Sequence, residues 1–150
     1  MIRCHYPLKT QSLYQFVGNA EKQATQMAKD STQNPLSTGV VSISPRELKQ
    51  KLDSGESLIL LDVREPHERA FCSISAPAPI LDLHIPMGAV PSRLDDFQNR
   101  DEMLVIYCHH GVRSMVVAEW LAKRVQRSIG NLDGGIDAWS RQVDPQVPRY

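Results

Sequence analysis

Residues 103–122 place the tightest constraint on how this chain can fold. An apolar run at residues 103–106 is followed by Tyr-Cys-His-His-Gly-Val-Arg-Ser and then by apolar residues at helical spacing. This order predicts a β-strand that ends in a short turn, which opens directly into a helix. In open α/β sheets, ligands bind at the carboxyl ends of the strands. The stretch therefore predicts an α/β protein with Cys108 at the ligand-binding edge of its sheet.

Cys108 lies where a sulfur atom can be activated. The first amide groups of a helix lack partners within the helix and carry partial positive charge, so they stabilise a nearby thiolate. Gly111 tolerates a positive φ, which lets successive amide groups point inward as an anion-binding nest. The plainer alternative is a buried structural cysteine at the end of a strand. The nearby glycine, Arg113 and the start of a helix together favour a nucleophile.

The composition excludes several classes of protein. Lysine plus arginine and aspartate plus glutamate number 17 each, which gives no sign of a nucleic-acid or anionic-membrane partner. No apolar run approaches the ~18 residues of a membrane span, and no signal-peptide pattern opens the chain. Cys4, Cys72 and Cys108 are odd in number and scattered, so a disulfide framework is not expected. A reducing, cytoplasmic location is predicted.

The histidines give no recognisable metal site. The chain has no Cys-x-x-Cys pair. We expect the adjacent side chains of His109 and His110 to point in different directions. The candidate ligands match no standard zinc spacing: Cys108, His67, His84, His109 and His110. The sequence therefore predicts neither a metal ion nor a cofactor.

The chain divides into an N-terminal extension, residues 1–39, and a domain, residues 40–150, that ends in a short tail. Apolar residues recur at helical spacing in the extension and predict one amphipathic helix from about Ser12 to Lys29, followed by a linker. That helix either covers part of the domain surface or serves as a partner-binding or targeting helix. Within the domain, strands alternate with helices, which predicts a mainly parallel sheet.

Two charged residues follow a second apolar run. The continuous run that ends at Leu61 predicts a parallel strand buried on both faces. Asp62 and Arg64 come directly after it, at the same edge of the sheet as Cys108. They belong either to a solvated loop or to a buried pair that braces the site by hydrogen bonds, and we prefer the second interpretation.

Three motifs, in this order, resemble the rhodanese (sulfurtransferase) family. They are Leu-Asp-Val-Arg at residues 61–64 with Glu65 and Glu68, the loop from Cys108 to Arg113, and Gly-Gly-Ile-Asp-Ala-Trp at residues 134–139. The likeness covers about residues 40–145. It implies a five-stranded, mainly parallel sheet flanked by helices on both faces.

The resemblance also implies the chemistry and the residues that perform it. Cys108 would take a sulfane sulfur from a donor such as thiosulfate, as a persulfide, and pass it to a thiophilic acceptor. The implied partners are a small sulfur-containing anion or persulfide donor and, as a further option, an acceptor protein. Asp62 and Arg64 match the supporting motif. The cradle around the sulfur would be formed by His109, His110, Gly111, Val112 and Arg113.

The sequence leaves the individual roles around Cys108 open. Arg113 either holds the oxyanion of the donor or faces solvent on the first turn of the helix. His109 and His110 either carry partial charge near neutral pH and attract anions, or are ordinary loop histidines. Val112 is expected to pack or to form a wall of the cradle.

One region departs from the family pattern. Where family members often have Gly-His-Ile and then a Pro-Gly-Ala element, residues 72–77 are Cys-Ser-Ile-Ser-Ala-Pro. This difference leaves substrate access and the path of residues 72–86 open, and Cys72 is expected to be a structural or incidental thiol.

Two other functions compete with sulfur transfer. Phosphatases and arsenate reductases of related fold resemble this loop but carry one more residue between cysteine and arginine. Only four residues separate Cys108 from Arg113, and a ring of that size suits a single sulfur better than a tetrahedral oxyanion. The other alternative is a non-catalytic interaction module with the same fold, whose usual mark is the loss of the cysteine.

Overall fold

The computed structural model describes residues 39–150. The helix predicted from Ser12 to Lys29 lies outside the described residues and stays a prediction, as does the domain boundary. The strands are β1 Val40–Ile43, β2 Leu58–Asp62, β3 Leu81–His84, β4 Met103–Tyr107 and β5 Ile129–Leu132. The helices are α1 Pro45–Ser54, α2 Pro66–Phe71, a 3-10 helix Met87–Asp96, α3 Val112–Val125 and α4 Gly135–Gln142. Within residues 39–150, none of the helices has both the length and the apolar character that a membrane crossing requires.

The strands form one five-stranded sheet in the order β1-β5-β4-β2-β3, and each pairing is parallel. The predicted five-stranded, mainly parallel sheet is therefore confirmed. β4 is the central strand and β2 is its neighbour, with Tyr107 in register with Asp62. Because parallel strands all end at one edge, Cys108 and Arg64 emerge from the same edge of the sheet.

Apolar side chains cover both faces of the sheet. Leu48 of α1 and Trp139 of α4 belong to the core on one face. Val117 and Leu121 of α3 belong to the core on the other face. β2 is buried along its whole length, which explains why its sequence is continuously apolar rather than alternating.

Local sequence signals account for the ends of several helices. Ser44 caps α1, because its side chain accepts a hydrogen bond from the backbone N–H of Glu47 while the Glu47 carboxylate accepts one from the Ser44 N–H. Gly55 ends α1 in the left-handed conformation. α3 ends at Val125, because Gln126 adopts the left-handed conformation.

Residues 143–150 were expected only as a tail, but the structure ties them to the domain. The Ser140 hydroxyl donates a hydrogen bond to the carbonyl of Val147 at 2.7 Å, and the Val147 side chain is buried in the core. Arg149 donates to the Asp137 carboxylate at 3.0 Å. These contacts bring Tyr150 back to the edge of the sheet where Cys108 lies.

Candidate active site

The sulfur of Cys108 lies in a cup of hydrogen-bond donors at the start of α3. The backbone N–H of Gly111 points at the sulfur at 3.1 Å, and both the N–H and the hydroxyl of Ser114 reach it at 3.4 Å. Only 1% of Cys108 is exposed to solvent. Inward N–H donors at a helix N-terminus stabilise negative charge, so the arrangement suits a thiolate or a persulfide anion.

The backbone of the loop is held from behind by the start of α4. The N–H of Ile136 donates to the carbonyl of Cys108 at 2.9 Å, and that of Asp137 donates to the carbonyl of His109 at 3.1 Å. Gly135 makes this approach possible, because a Cβ there would meet those two carbonyl oxygens at 2.4 and 2.3 Å. Because these carbonyls face α4, the N–H groups of the loop can point at the sulfur.

Gly111 supplies the turn that the loop needs. Its φ of 91° is a conformation that few residues other than glycine adopt. A Cβ at this position would also crowd the Leu132 carbonyl oxygen at 3.1 Å and the Gly134 nitrogen at 3.2 Å. Asn131, at the end of β5, donates to the Gly111 carbonyl at 3.3 Å and so steadies the turn from the sheet side.

Asp62 and Arg64 are fully buried and make a two-pronged ion pair. Arg64 Nε and Nη2 donate to the two Asp62 oxygens at 2.9 and 2.7 Å. The guanidinium also donates to the carbonyls of Glu68 and Cys72 at the end of α2, and to the Tyr150 hydroxyl. Burial opposes the charge of Arg64, but the hydrogen bonds of Asp62 and Tyr150 keep its pKa above the ordinary value. The pair anchors α2 and residue 150 rather than touching the sulfur.

Arg113 is engaged by a carboxylate, a contact that neither sequence interpretation of this residue included. Its two terminal nitrogens donate to the two oxygens of Glu68 at 2.7 Å each. This bidentate ion pair holds the pKa of Glu68 well below its usual range and raises the pKa of Arg113. The guanidinium is thus partly exposed and shares its charge with Glu68, and its role towards a donor anion stays a prediction.

His109 and His110 form part of a stack of rings, which corrects the expectation that they point apart. Their ring centroids are 3.9 Å apart, and Tyr150 stacks on the other side of His109 at 4.0 Å. Burial lowers the pKa of His109, and the neighbouring His110 lowers it further. His109 therefore carries less charge near neutral pH than the sequence suggests. Val112 is 72% exposed at the start of α3, so it is not a packing residue, and its place in the wall of the cradle stays a prediction.

The stacked histidines lie close to Asp137, and this group is the arrangement among the described residues that could hold a metal ion. The Asp137 carboxylate is already paired with Arg141 and Arg149. Burial opposes its charge, yet these arginines keep its pKa below the ordinary value. A cation at this position would have to displace guanidinium groups, so the donor set fits a metal poorly.

The structure adds contributors that sequence reasoning did not assign to the site: Ser114, Glu68 and Tyr150. Ser114 is the third residue of α3, so its N–H lacks a partner within the helix and faces the helix N-terminus. The predicted start of the helix could have indicated this position. Glu68 follows Glu65 at capping-box spacing, which predicts a helix start but not its bond to Arg113. The approach of Tyr150 has no local signal, because it depends on how residues 143–150 cross the domain.

Comparison with known proteins identifies the class. The chain matches the rhodanese-like domain family over residues 44–142, and it belongs to that family. The match spans all three motifs around the site: the end of β2, the cysteine loop and the start of α4.

Relatives and solved structures agree with this assignment. The putative sulfurtransferase YtwF of Bacillus subtilis is 33% identical over 107 residues, which are 71% of this chain and 97% of the relative. The probable adenylyltransferase/sulfurtransferase MoeZ of Mycobacterium tuberculosis is 35% identical over 136 residues; these are 91% of this chain and 31% of MoeZ, so the chain spans less than a third of that protein. A rhodanese-like domain protein from Staphylococcus aureus aligns with a TM-score of 0.57 at 32% identity, covering 73% of this chain and 97% of that one. This kinship supports a role in sulfur transfer.

Proposed function

We propose that the protein is a sulfurtransferase that carries a sulfane sulfur as a persulfide on Cys108. The observation that carries the proposal is the cup of donors around the sulfur, made by Gly111 and Ser114. The same donors stabilise the thiolate before transfer and negative charge on the persulfide after it. Relatives named as sulfurtransferases support the same chemistry.

The reaction consists of two displacements on sulfur. The Cys108 thiolate attacks the outer sulfur of the donor, a new S–S bond forms on Cys108, and the S–S bond of the donor breaks. With thiosulfate as donor, the electron pair of that bond leaves with sulfite. A nucleophilic acceptor then attacks the outer sulfur of the persulfide, and Cys108 departs as a thiolate. Because the carrier alternates between two covalent states, ping-pong kinetics are expected.

The loop around Cys108 does not need a separate general base. A thiolate is already a nucleophile, and the N–H groups of α3 supply the electrostatic stabilisation. His109 stacks between His110 and Tyr150, an arrangement that supports a wall of the site rather than a proton carrier. Asp62, Arg64 and the Glu68–Arg113 pair act in this proposal by positioning the loop and its surroundings.

The test is to load the protein with sulfur and to measure its intact mass by mass spectrometry. Incubation with thiosulfate should add about 32 Da, one sulfur atom, and cyanide should remove it. Cys108→Ser should abolish this gain and leave the fold intact, because a serine hydroxyl here has no adjacent strong base. Cys72→Ser is the matched control and should load normally. A mass gain that persists in Cys108→Ser, or that disappears in Cys72→Ser, would refute the assignment of the carrier.

A further inference from the structure

Residues 143–150 place an aromatic side chain at the mouth of the site, the surface around His109 and Arg113 on the cysteine loop. The segment is pinned by the Ser140–Val147 hydrogen bond and by the pairing of Arg149 with Asp137. It ends in Tyr150, whose ring lies flat on His109, with centroids 4.0 Å apart and planes inclined by 15°. His109 directly follows Cys108, so Tyr150 packs against the loop that carries the sulfur.

The hydroxyl of Tyr150 ties this ring to both ion pairs of the site. It accepts a hydrogen bond from Arg64 at 2.9 Å and donates one to Glu68 at 2.8 Å. Burial, together with the bond to Glu68, raises the pKa of Tyr150 to about 12, so the hydroxyl keeps its proton at neutral pH. Tyr150 is therefore a fixed wall of the mouth rather than a loose surface side chain.

Glu68 is saturated by these contacts, and it neutralises Arg113. One carboxylate oxygen accepts from Arg113 and Tyr150, and the other accepts from Arg113 and the backbone of Glu65. Glu68 takes two of the five N–H donors of Arg113. A thiosulfate dianion at the remaining donors would meet a guanidinium whose charge is already neutralised and would lie close to the ionised Glu68, which is unfavourable.

Among residues 39–150, the rim of the mouth offers exposed aromatic surface, and Arg113 beside it is paired with Glu68. Phe71 packs edge-on against Tyr150, with ring centroids 5.6 Å apart. Phe71 is 56% exposed, Tyr150 is 45% exposed, and Val112 projects from the crest of the loop. Exposed aromatic rings that are held rigidly bind the carbon body of a ligand at low entropic cost.

We propose that Tyr150 is a specificity-determining residue that makes the site prefer the persulfide of an organic thiol, with an uncharged carbon body, over thiosulfate. This inference rests on the sulfurtransferase function proposed above and names its donor class. The Cys108 thiolate attacks the outer sulfur of R–S–SH, and the donor S–S bond breaks. Its electron pair leaves on the inner sulfur as R–S⁻, which takes up a proton from water, while the outer sulfur stays on Cys108 as the persulfide.

The experiment measures kcat/KM for loading of Cys108 from two donors, thiosulfate and the persulfide of N-acetylcysteine methyl ester. The readout is the ratio of the two values, in which any unfolded fraction of a variant cancels. In the wild type the organic persulfide should be favoured. Tyr150→Ala should lower the ratio by about tenfold, chiefly by raising KM for the persulfide. Tyr150→Phe keeps the stacked ring but loses both hydrogen bonds, so its ratio should fall by only a few-fold.

The control is Val41→Ala, which removes a side chain of similar exposure, 44%, from β1 at the far edge of the sheet and should leave the ratio unchanged. A purely structural role of Tyr150 would slow both donors equally, so an unchanged ratio in Tyr150→Ala overturns the inference. Preferential loading of the wild type from thiosulfate does the same. Failure of both donors to add sulfur to Cys108 would overturn the proposed function itself, and this inference with it.

Discussion

Arg64 joins separate segments of the chain through one buried guanidinium group. It pairs with Asp62 at the end of β2, holds the carbonyls of Glu68 and Cys72 around the end of α2, and reaches Tyr150. A buried guanidinium group is tolerated only when its N–H donors are hydrogen-bonded, and here these partners accept those hydrogen bonds. The residue therefore fixes where α2 lies relative to the edge of the sheet.

Replacement of Arg64 should destabilise the whole domain. Arg64→Met should lower the free energy of unfolding by about 3 kcal/mol, because it leaves the buried Asp62 with only the longer contact to Arg69, at 3.5 Å. Arg64→Lys should recover only part of the loss, since an ammonium group lacks the planar fork that matches both carboxylate oxygens. Urea unfolding followed by circular dichroism measures both variants.

The matched control is Lys49→Met, which removes a cation from the exposed pair with Asp53. Exposed pairs contribute little, so this variant should unfold close to the wild type. Equal stability of Arg64→Met and Lys49→Met would contradict a structural role for the buried pair.

At the scale of elements, the start of α4 serves the loop at the start of α3. The first N–H groups of α4 bind the carbonyls of Cys108 and His109, and Gly135 allows the two backbones to meet. The Gly-Gly motif thus matters for the sulfur site although neither glycine touches the sulfur. One helix N-terminus faces the sulfur, and the other orients the loop that carries it.

Gly135→Ala should displace the cysteine loop. Its Cβ would overlap the two carbonyl oxygens, and its φ of 60° is costly for alanine. The rate of sulfur loading should fall by about 100-fold, the usual effect of a misplacement near 1 Å. Gly88→Ala is the control, because a Cβ there meets nothing within 4 Å. Normal loading by Gly135→Ala would show that the contact between α4 and the loop is dispensable.

Sequence reasoning anticipated the elements better than the contacts between them. The apolar runs predicted β2 and β4, because the signal of a buried strand is local. The bond between Arg113 and Glu68 could not be predicted, since these residues lie on separate helices and each is equally plausible facing solvent. The stack of Tyr150 on His109 depends on the path of residues 143–150, which periodicity does not specify.

At the scale of the whole molecule, Glu68 couples α2, α3 and residue 150, so its ionisation affects overall stability. Arg113 holds the pKa of Glu68 below the 4.5 of an unperturbed glutamate. The unfolded chain therefore binds the proton more tightly than the folded one. The stabilisation is complete above about pH 4.5 and is lost as the pH falls from there towards the folded pKa.

Glu68→Gln should flatten the acid side of the stability curve. Thermal or urea unfolding measured between pH 3 and pH 7 should show a smaller loss of stability below about pH 4.5 than in the wild type, together with lower stability at neutral pH. Glu119→Gln, at an exposed position of α3, should keep the wild-type slope. An unchanged acid slope in Glu68→Gln would mean that other carboxylates dominate the pH dependence.

The depth of Cys108 separates the resting protein from the loaded one. With 1% of the residue exposed, the empty thiol is sheltered from bulky alkylating agents and oxidants. In the proposed reaction, an added sulfur extends the side chain by one S–S bond of about 2 Å, which brings the transferable atom closer to solvent. That sulfur would thus be more accessible to an acceptor than the sulfur that carries it.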